Sequence, residues 1–375
     1  MKLAFAIFRY FPFGGLQLDF ARFLREGIRR GHSITVLYDR WEGDFFPGAN
    51  YEHLKCSALT NWGRALEFER KAGTYFQSHP FDLIIGCNRM DGLDFYFAAD
   101  NCFAAIARKK SWLERLVSPR CRVYERMERS IFGRSGKTVI LYISELQKAD
   151  YIKWYDTQEN RFRYLPPGVD PGFHVRTDPE RRQIRRRLCG DLKIGEEALL
   201  LVQVCSAFRT KGVDRVLNAL GKLSGPLRSR VVYLIAGNDP RGEYRRRAER
   251  LGLGGQVFFL GARNDLPELL AACDLMVHPA RNEAAGNVLA EAVSVGLPVV
   301  CTANCGYSPL VKDAGGVVLP EPYSDAALTY ALELSLSLPD ALDRMRSDAL
   351  KYARTADFHH RTEAFWQYVE EGSHA

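Results

Sequence analysis

Residues 275–301 read LMVHPARNEAAGNVLAEAVSVGLPVVC, and the architecture follows from them. Leu275 to His278 is a short apolar run of strand length. Asn282 to Asn287 is a polar loop of mostly small residues. From Val288 to Val295, Leu289, Ala292 and Val293 recur at helical spacing and make one face apolar. Gly296 stops that helix, Pro298 forbids its continuation, and Val299 to Cys301 is apolar again. Gly286 permits a tight turn where the loop meets the helix. A helix that starts there points its first backbone N–H groups at an anion. Glu283 stands in the loop and Glu291 about one turn into the helix. Two readings stay open for the pair: carboxylates that serve a ligand, or a capping loop residue and an ordinary helix surface residue.

The same alternation runs along the chain. Leu3–Phe8, Ser33–Tyr38, Leu83–Gly86, Val139–Ile143 and Phe162–Leu165 read as strands. Helical stretches fall at 16–30, 64–77, 102–116, 120–132 and 145–154. Pro166-Pro167-Gly168 interrupts the pattern and marks a boundary. Beyond it a basic helical stretch, Pro179 to Leu188, precedes strands at Leu199–Val204, Val231–Ala236, Val257–Leu260, Leu275–His278, Val299–Cys301 and Val317–Leu319. Helices at 323–337 and 339–353 follow, and 358–370 closes the chain. Alternating strands and helices imply mostly parallel sheets covered on both faces. The expected fold is α/β, two Rossmann-like domains facing across a cleft. The first spans 1–166 and the second 167–355, with a further helix at 356–371.

Length and composition agree with two globular domains: 375 residues, 46% hydrophobic and 26% charged. No apolar run approaches the ~18 residues of a membrane span. The N-terminal MKLAFAIFRYF reads as a strand rather than a signal peptide. Nine scattered cysteines form no C-x-x-C pair and no His/Cys cluster of zinc spacing, which favours a reducing cytosol. Between 104 and 137 ten cations face three glutamates, an excess equal to the net +7 of the whole chain. Lys109, Lys110, Arg115, Arg120 and Arg122 are interleaved there with Trp112, Leu113, Leu116 and Val117. A basic amphipathic segment of this kind reads as lying on an anionic surface, and a solvated face is the alternative. No nucleic-acid-binding motif accompanies the charge, so nucleic acid is not an expected partner.

Other candidates sit at strand ends. Arg209 and Lys211, between the strand Leu199–Val204 and a helix from Val213, suit a phosphate. Arg263 follows another strand and can stack on a base or form a surface ion pair. Gly14 and Gly15 follow the first strand and allow close backbone approach, although the dinucleotide fingerprint is absent. Asp19 lies one turn into the first helix. Asp100 reads as an N-cap for a helix beginning near Asn101.

The combination resembles a known family. The stretches YFPFGGLQLDF (10–20), WEGD (41–44), MDGLDFYFAAD (90–100), RFRYLPPG (161–168), TKGVDR (210–215), 261–300 and CGYSPLV (305–311) are similar to those of the lipopolysaccharide core glucosyltransferases. These are retaining enzymes of the glycosyltransferase-B fold with two glutamates eight positions apart. The resemblance implies that Glu283 and the backbone of Ala285, Gly286 and Asn287 hold the donor sugar. It implies that Glu291 binds the ribose, that Lys211 with Arg209 binds the diphosphate approached by Gly14 and Gly15, and that Arg263 lies by the uracil. Asp19 and Asp100 would serve the acceptor side as catalytic residues with Glu283. It further implies a UDP-sugar donor, transfer of a hexose, glucose in the first instance, to an inner-core heptose, a last helix (356–371) that returns to the first domain, no cofactor or metal, and a cytoplasmic enzyme bound peripherally to the anionic inner face of the inner membrane. A UDP-sugar 2-epimerase of the same fold and a noncatalytic membrane-surface protein are the competing expectations. The sequence departs from the family pattern at Cys205, at Thr210 beside Lys211, and at Asp91 in MDG.

Overall fold

The structure is a computed structural model that describes residues 1–12, 14–108, 111–338 and 340–372. The chain divides into two compact units. One comprises Met1–Gly168 and the C-terminal segment from His360, and the other Val169–His359.

The first unit is built on β1 (Lys2–Tyr10), β2 (Ser33–Trp41), β3 (Ala49–His53), β4 (Leu83–Gly86), β5 (Phe95–Ala98), β6 (Val139–Tyr142) and β7 (Phe162–Tyr164). They form one parallel sheet in the order β3-β2-β1-β4-β5-β6-β7. β1 is central, and Leu3 to Ile7 are fully buried, as a parallel strand covered on both faces requires. The second unit carries β8 (Leu199–Val204), β9 (Val231–Ala236), β10 (Val257–Gly261), β11 (Leu275–His278), β12 (Val299–Thr302) and β13 (Val317–Leu319). Their order is β10-β9-β8-β11-β12-β13, again all parallel. Both sheets therefore reverse direction of winding beside their first strand, between β1 and β4 and between β8 and β11. Ligands in such sheets bind beyond the carboxyl ends of the strands at that reversal.

Three expectations change. Strands β3 and β5 were not visible in the sequence. β3, ANYEH, is a sheet edge with no residue buried, so it lacks the apolar signal. β5, FYFA, is fully buried but only four residues long, and it runs into Ala98-Ala99 without a break signal. The single helix expected at 102–116 is two short ones, Phe103–Ala107 and Trp112–Val117. Ser111 starts the second with a capping box to Glu114, which is why the chain begins a new helix there. Ser118 then caps Pro119–Phe132 in turn.

The C-terminal helix Arg361–Gly372 packs on the helix Gly15–Arg29. Phe365 stacks on Phe23 at 3.9 Å between centroids, and Trp366 Nε1 donates to the Phe23 carbonyl at 3.1 Å. A methyl group at Gly27 would lie 2.2 Å from the Trp366 ring, so this contact needs glycine.

Candidate active site

In the second unit, the loops after β8 and β11 come together at the winding reversal. The chain leaves β8 through a single helical turn, Phe208–Lys211, and Gly212 in the left-handed region, then enters the helix Val213–Lys222. Gly212 has φ 79°, and a Cβ there would lie 2.2 Å from the Pro279 carbonyl oxygen. Only glycine lets these two loops approach so closely. Arg281 locks them further. Its backbone N–H donates to the Thr210 carbonyl at 2.7 Å, and its guanidinium grips Asp214 through bonds of 2.7 and 2.6 Å. Gln203 Nε2, buried under the loop, donates to the Lys211 carbonyl at 2.7 Å.

This frame sets two side chains, Lys211 and His278, around one oxygen of Glu283. Lys211 Nζ donates to Glu283 Oε2 at 2.6 Å, and His278 Nε2 lies 3.0 Å from the same oxygen. Burial pushes the Glu283 pKa up, but His278 and Lys211 outweigh it and bring the carboxyl from 4.5 to about 2. Glu283 is thus a carboxylate at any ordinary pH. Its other oxygen, Oε1, takes no hydrogen bond from the described residues, and the Lys211 ammonium has two further N–H donors. The pair therefore offers an acceptor and donors side by side, suited to a hydroxyl-bearing, anionic ligand.

The rest of the loop supports this group through backbone. Glu283 forms a parallel bridge with Cys305, and the Ala285 carbonyl accepts from the Tyr307 N–H at 2.8 Å. A Cβ at Gly306 would sit 2.0 Å from the Ala284 carbonyl oxygen. Gly286, at φ 87°, turns the chain into the helix Asn287–Ser294. Glu291 lies within that helix, partly buried. Arg209 is exposed on the preceding turn. Arg263 follows β10 and pairs with Asp265 at 2.7 Å. The turns after β9 and β10 are tied by Gly237 N–H to the Gly261 carbonyl at 2.7 Å and Ala262 N–H to Asn238 at 3.1 Å. His278 and Arg281 belong to this group of side chains and were not singled out in the sequence. His278 reads as the end of an apolar strand, and Arg281 as a loop cation; the glycines at 212 and 306 are the local signals of the close approach.

The first unit places its candidates differently. Gly14 and Gly15 stand between β1 and the helix Gly15–Arg29, with the Leu18 N–H donating to the Gly14 carbonyl at 2.8 Å. Asp19 is only 2% exposed. Its Oδ2 pairs with Arg361 at 2.5 Å and its Oδ1 lies 3.6 Å from Arg22. It reaches a substrate only if that pair opens. Asp100 is half-exposed, with Arg89 at 3.6 Å. It is not an N-cap: Cys102 holds that position, and the cap is supplied by Glu128 from the helix Pro119–Phe132. The fully buried Glu128 accepts from the Phe103 and Ala104 N–H groups at 2.6 and 3.0 Å, from Arg89 at 2.9 Å and from the Tyr155 hydroxyl at 2.6 Å. In the sequence Glu128 is one of three anions in a basic segment; in the fold it ties that segment to the unit.

Of the basic segment, Trp112, Leu113, Leu116 and Val117 are 54–71% exposed and nothing in their helix is buried. Arg115 pairs with Glu125 at 3.0 Å, while Arg120 and Arg122 are exposed. Lys109 and Lys110 lie outside the described residues.

Two such parallel α/β units make up the fold of a glycosyltransferase of the B type. The pattern of the family "Glycosyl transferases group 1" matches residues 185–354, within the second unit. The lipopolysaccharide glucosyltransferase WaaG of Escherichia coli (strain K12) is 40% identical over 362 residues, 96% of each chain. The crystal structure of WaaG, described as a glycosyltransferase involved in lipopolysaccharide biosynthesis, superposes with a TM-score of 0.89 at 39% identity, covering 98% of this chain and 99% of that one. Anabaena Alr3699/HepE, crystallised with UDP and glucose, shares the fold at a TM-score of 0.72 and 20% identity over the full length of both chains. The chain belongs to the family of the lipopolysaccharide glucosyltransferase WaaG.

Proposed function

We propose that the chain transfers a hexose, glucose in the first instance, from a UDP-sugar to a heptose of the lipopolysaccharide inner core. The observation that carries this is the Lys211–Glu283–His278 group at the carboxyl ends of β8 and β11, in a chain 40% identical to such a transferase along nearly its whole length. In this reading Glu283 Oε1 accepts a hydrogen bond from a sugar hydroxyl. Lys211 and the exposed Arg209 meet the negative charge that develops on the diphosphate as it leaves. No metal enters, because these cations take that role. Glu291 binds the ribose and Arg263 lies beside the base. The bond from the anomeric carbon to the phosphate oxygen breaks, and one to the acceptor oxygen forms on the same face. The acceptor proton passes to the departing phosphate, so configuration is retained without a covalent intermediate.

The enzyme works at the inner membrane surface in this reading. No helix among the described residues is long and apolar enough to cross a membrane. The exposed apolar side chains of Trp112–Val117, with Arg120 and Arg122 beside them, suit shallow insertion among anionic headgroups.

The decisive assay supplies UDP-glucose and a heptose-terminated lipopolysaccharide to the purified protein, with and without a metal chelator. Transfer that survives the chelator, and an α-linked product, are the expected results. Failure to glycosylate the acceptor overturns the reading. Conversion of the UDP-sugar with no acceptor present would instead favour an epimerase.

A further inference from the structure

The first unit contains a cavity of about 500 Å³ that the donor chemistry does not use. That volume is within the range of about 300–1,000 Å³ typical of ligand sites. Its wall carries five arginines, Arg9, Arg40, Arg64, Arg89 and Arg120, and one carboxylate, Asp100. Three of the five are held by acids outside the cavity lining. Arg9 pairs with Glu42 at 2.5 Å, Arg64 with Asp39 at 3.2 Å, and Arg89 with Glu128 at 2.9 Å. The buried acids Asp39 and Glu128 fix Arg64 and Arg89 in position, whereas the Arg9–Glu42 pair is exposed. Arg40 has only a longer contact with the same Asp39, at 3.8 Å, and Arg120 lies against the Phe103 and Tyr124 rings at 5.9 Å. Arg64 Nε is enclosed and donates to nothing among the described residues. Arg89 is occupied by Glu128, the Asn101 carbonyl and, at 3.6 Å, Asp100, so the unspent guanidinium donors of the lining are chiefly those of Arg40, Arg64 and Arg120, against Asp100 as its one carboxylate. Guanidinium groups so arranged recognise compact oxyanions in bidentate fashion.

We infer that this cavity binds an anionic substituent, a carboxylate or a phosphate ester, carried by the acceptor oligosaccharide. The inference rests on the reading of the chain as a transferase acting on such an acceptor. It adds a specificity: the acceptor is recognised by its charge as well as by its hydroxyls. Aromatic rings in the same wall, Phe103 and Tyr124, offer flat apolar surface to a sugar ring. Arg120 and Tyr124 lie in the basic segment and Phe103 just precedes it, so this part of the cavity wall adjoins the exposed helix Trp112–Val117 in sequence.

The test uses a deacylated, water-soluble inner-core oligosaccharide, so that membrane attachment plays no part. Its binding to the whole protein is measured by calorimetry in three forms: intact, carboxyl-reduced, and phosphatase-treated. The wild-type protein should bind the intact form, and one of the two neutralised forms should bind about tenfold or more weakly, which identifies the source of the charge. Arg40→Gln and Arg120→Gln should each weaken binding of the intact form by a similar factor, yet bind the neutralised form as the wild type does. Arg120→Lys should recover part of the loss. If the wild type does not bind the intact oligosaccharide, or binds all three forms equally, the proposal falls. That comparison needs no variant, so a misfolded mutant cannot obscure it. Failure of the transferase reading has a separate signature: no glucose reaches any acceptor, charged or neutral.

Discussion

At Glu283, one carboxylate oxygen carries both partners and the other remains for a ligand. Lys211→Met removes one of two groups that hold this carboxyl near 2. A charge-assisted hydrogen bond of this kind contributes about 1.5–3 kcal/mol. The depressed value lies below the ordinary 4.5, so the contribution is present above pH 4.5 and is lost as pH falls from there towards 2. Denaturant unfolding should therefore show the variant less stable at neutral pH, with the gap to wild type closing below pH 4.5; a gap constant down to the acid limit would deny the ion pair. In the assay the same substitution should lower kcat by about 10²–10³-fold if Lys211 meets charge on the leaving group. A change confined to KM would assign it to ground-state binding alone. Glu291→Ala is the companion measurement: UDP affinity by calorimetry should fall about tenfold, as for loss of a hydrogen bond to the ribose, and an unchanged affinity removes Glu291 from the nucleotide site. The two glutamates were legible in the sequence as a spaced pair between a strand and a helix. His278 was not, because a polar residue ending a buried strand has no pattern that separates structure from function.

At the scale of elements, the helix Trp112–Val117 has no core side and is held only by its neighbours. Burying an exposed Trp or Leu in an apolar phase gains roughly 1.5–3 kcal/mol. Trp112→Ser with Leu116→Ser should thus reduce flotation with anionic vesicles at every salt concentration. Arg122→Gln should reduce it mainly at low salt, where charges are unscreened. Equal binding of the double variant would leave electrostatics as the whole of the attachment. The amphipathic character of this region was readable in the sequence, since its cations and apolar residues are adjacent there. The break into two helices was not, because it depends on the Ser111–Glu114 capping box and on a cap supplied by Glu128, 25 residues away from Phe103. The strands were recovered where they are apolar and central, and missed where an edge position or a short length removed the signal, as at β3 and β5.

For the whole molecule, the return of the last helix to the first unit explains the burial of Asp19. Arg361 is 1% exposed and bonds the Pro166 carbonyl at 2.7 Å as well as Asp19, while Arg22 bonds the Gly168 carbonyl at 2.5 Å. One buried cluster therefore ties the first helix, the Pro-Pro-Gly segment and the C-terminal helix. No sequence pattern could show this, because the ion pair joins residues 342 positions apart; the segment and the terminal helix were each legible, their joint was not. A buried pair is costly to break by halves, about 3–5 kcal/mol, because the remaining charge is stranded. Asp19→Ala should accordingly destabilise the protein by that amount, and Arg361→Met by a comparable amount. The combined variant should lose less than the sum, since neither charge is then left alone. Activity separates a clamp from a catalyst: if Asp19 acts only through the cluster, the combined variant regains kcat along with stability. If Asp19 itself touches the acceptor, stability recovers in the combined variant while kcat stays low, because the carboxylate is absent in both.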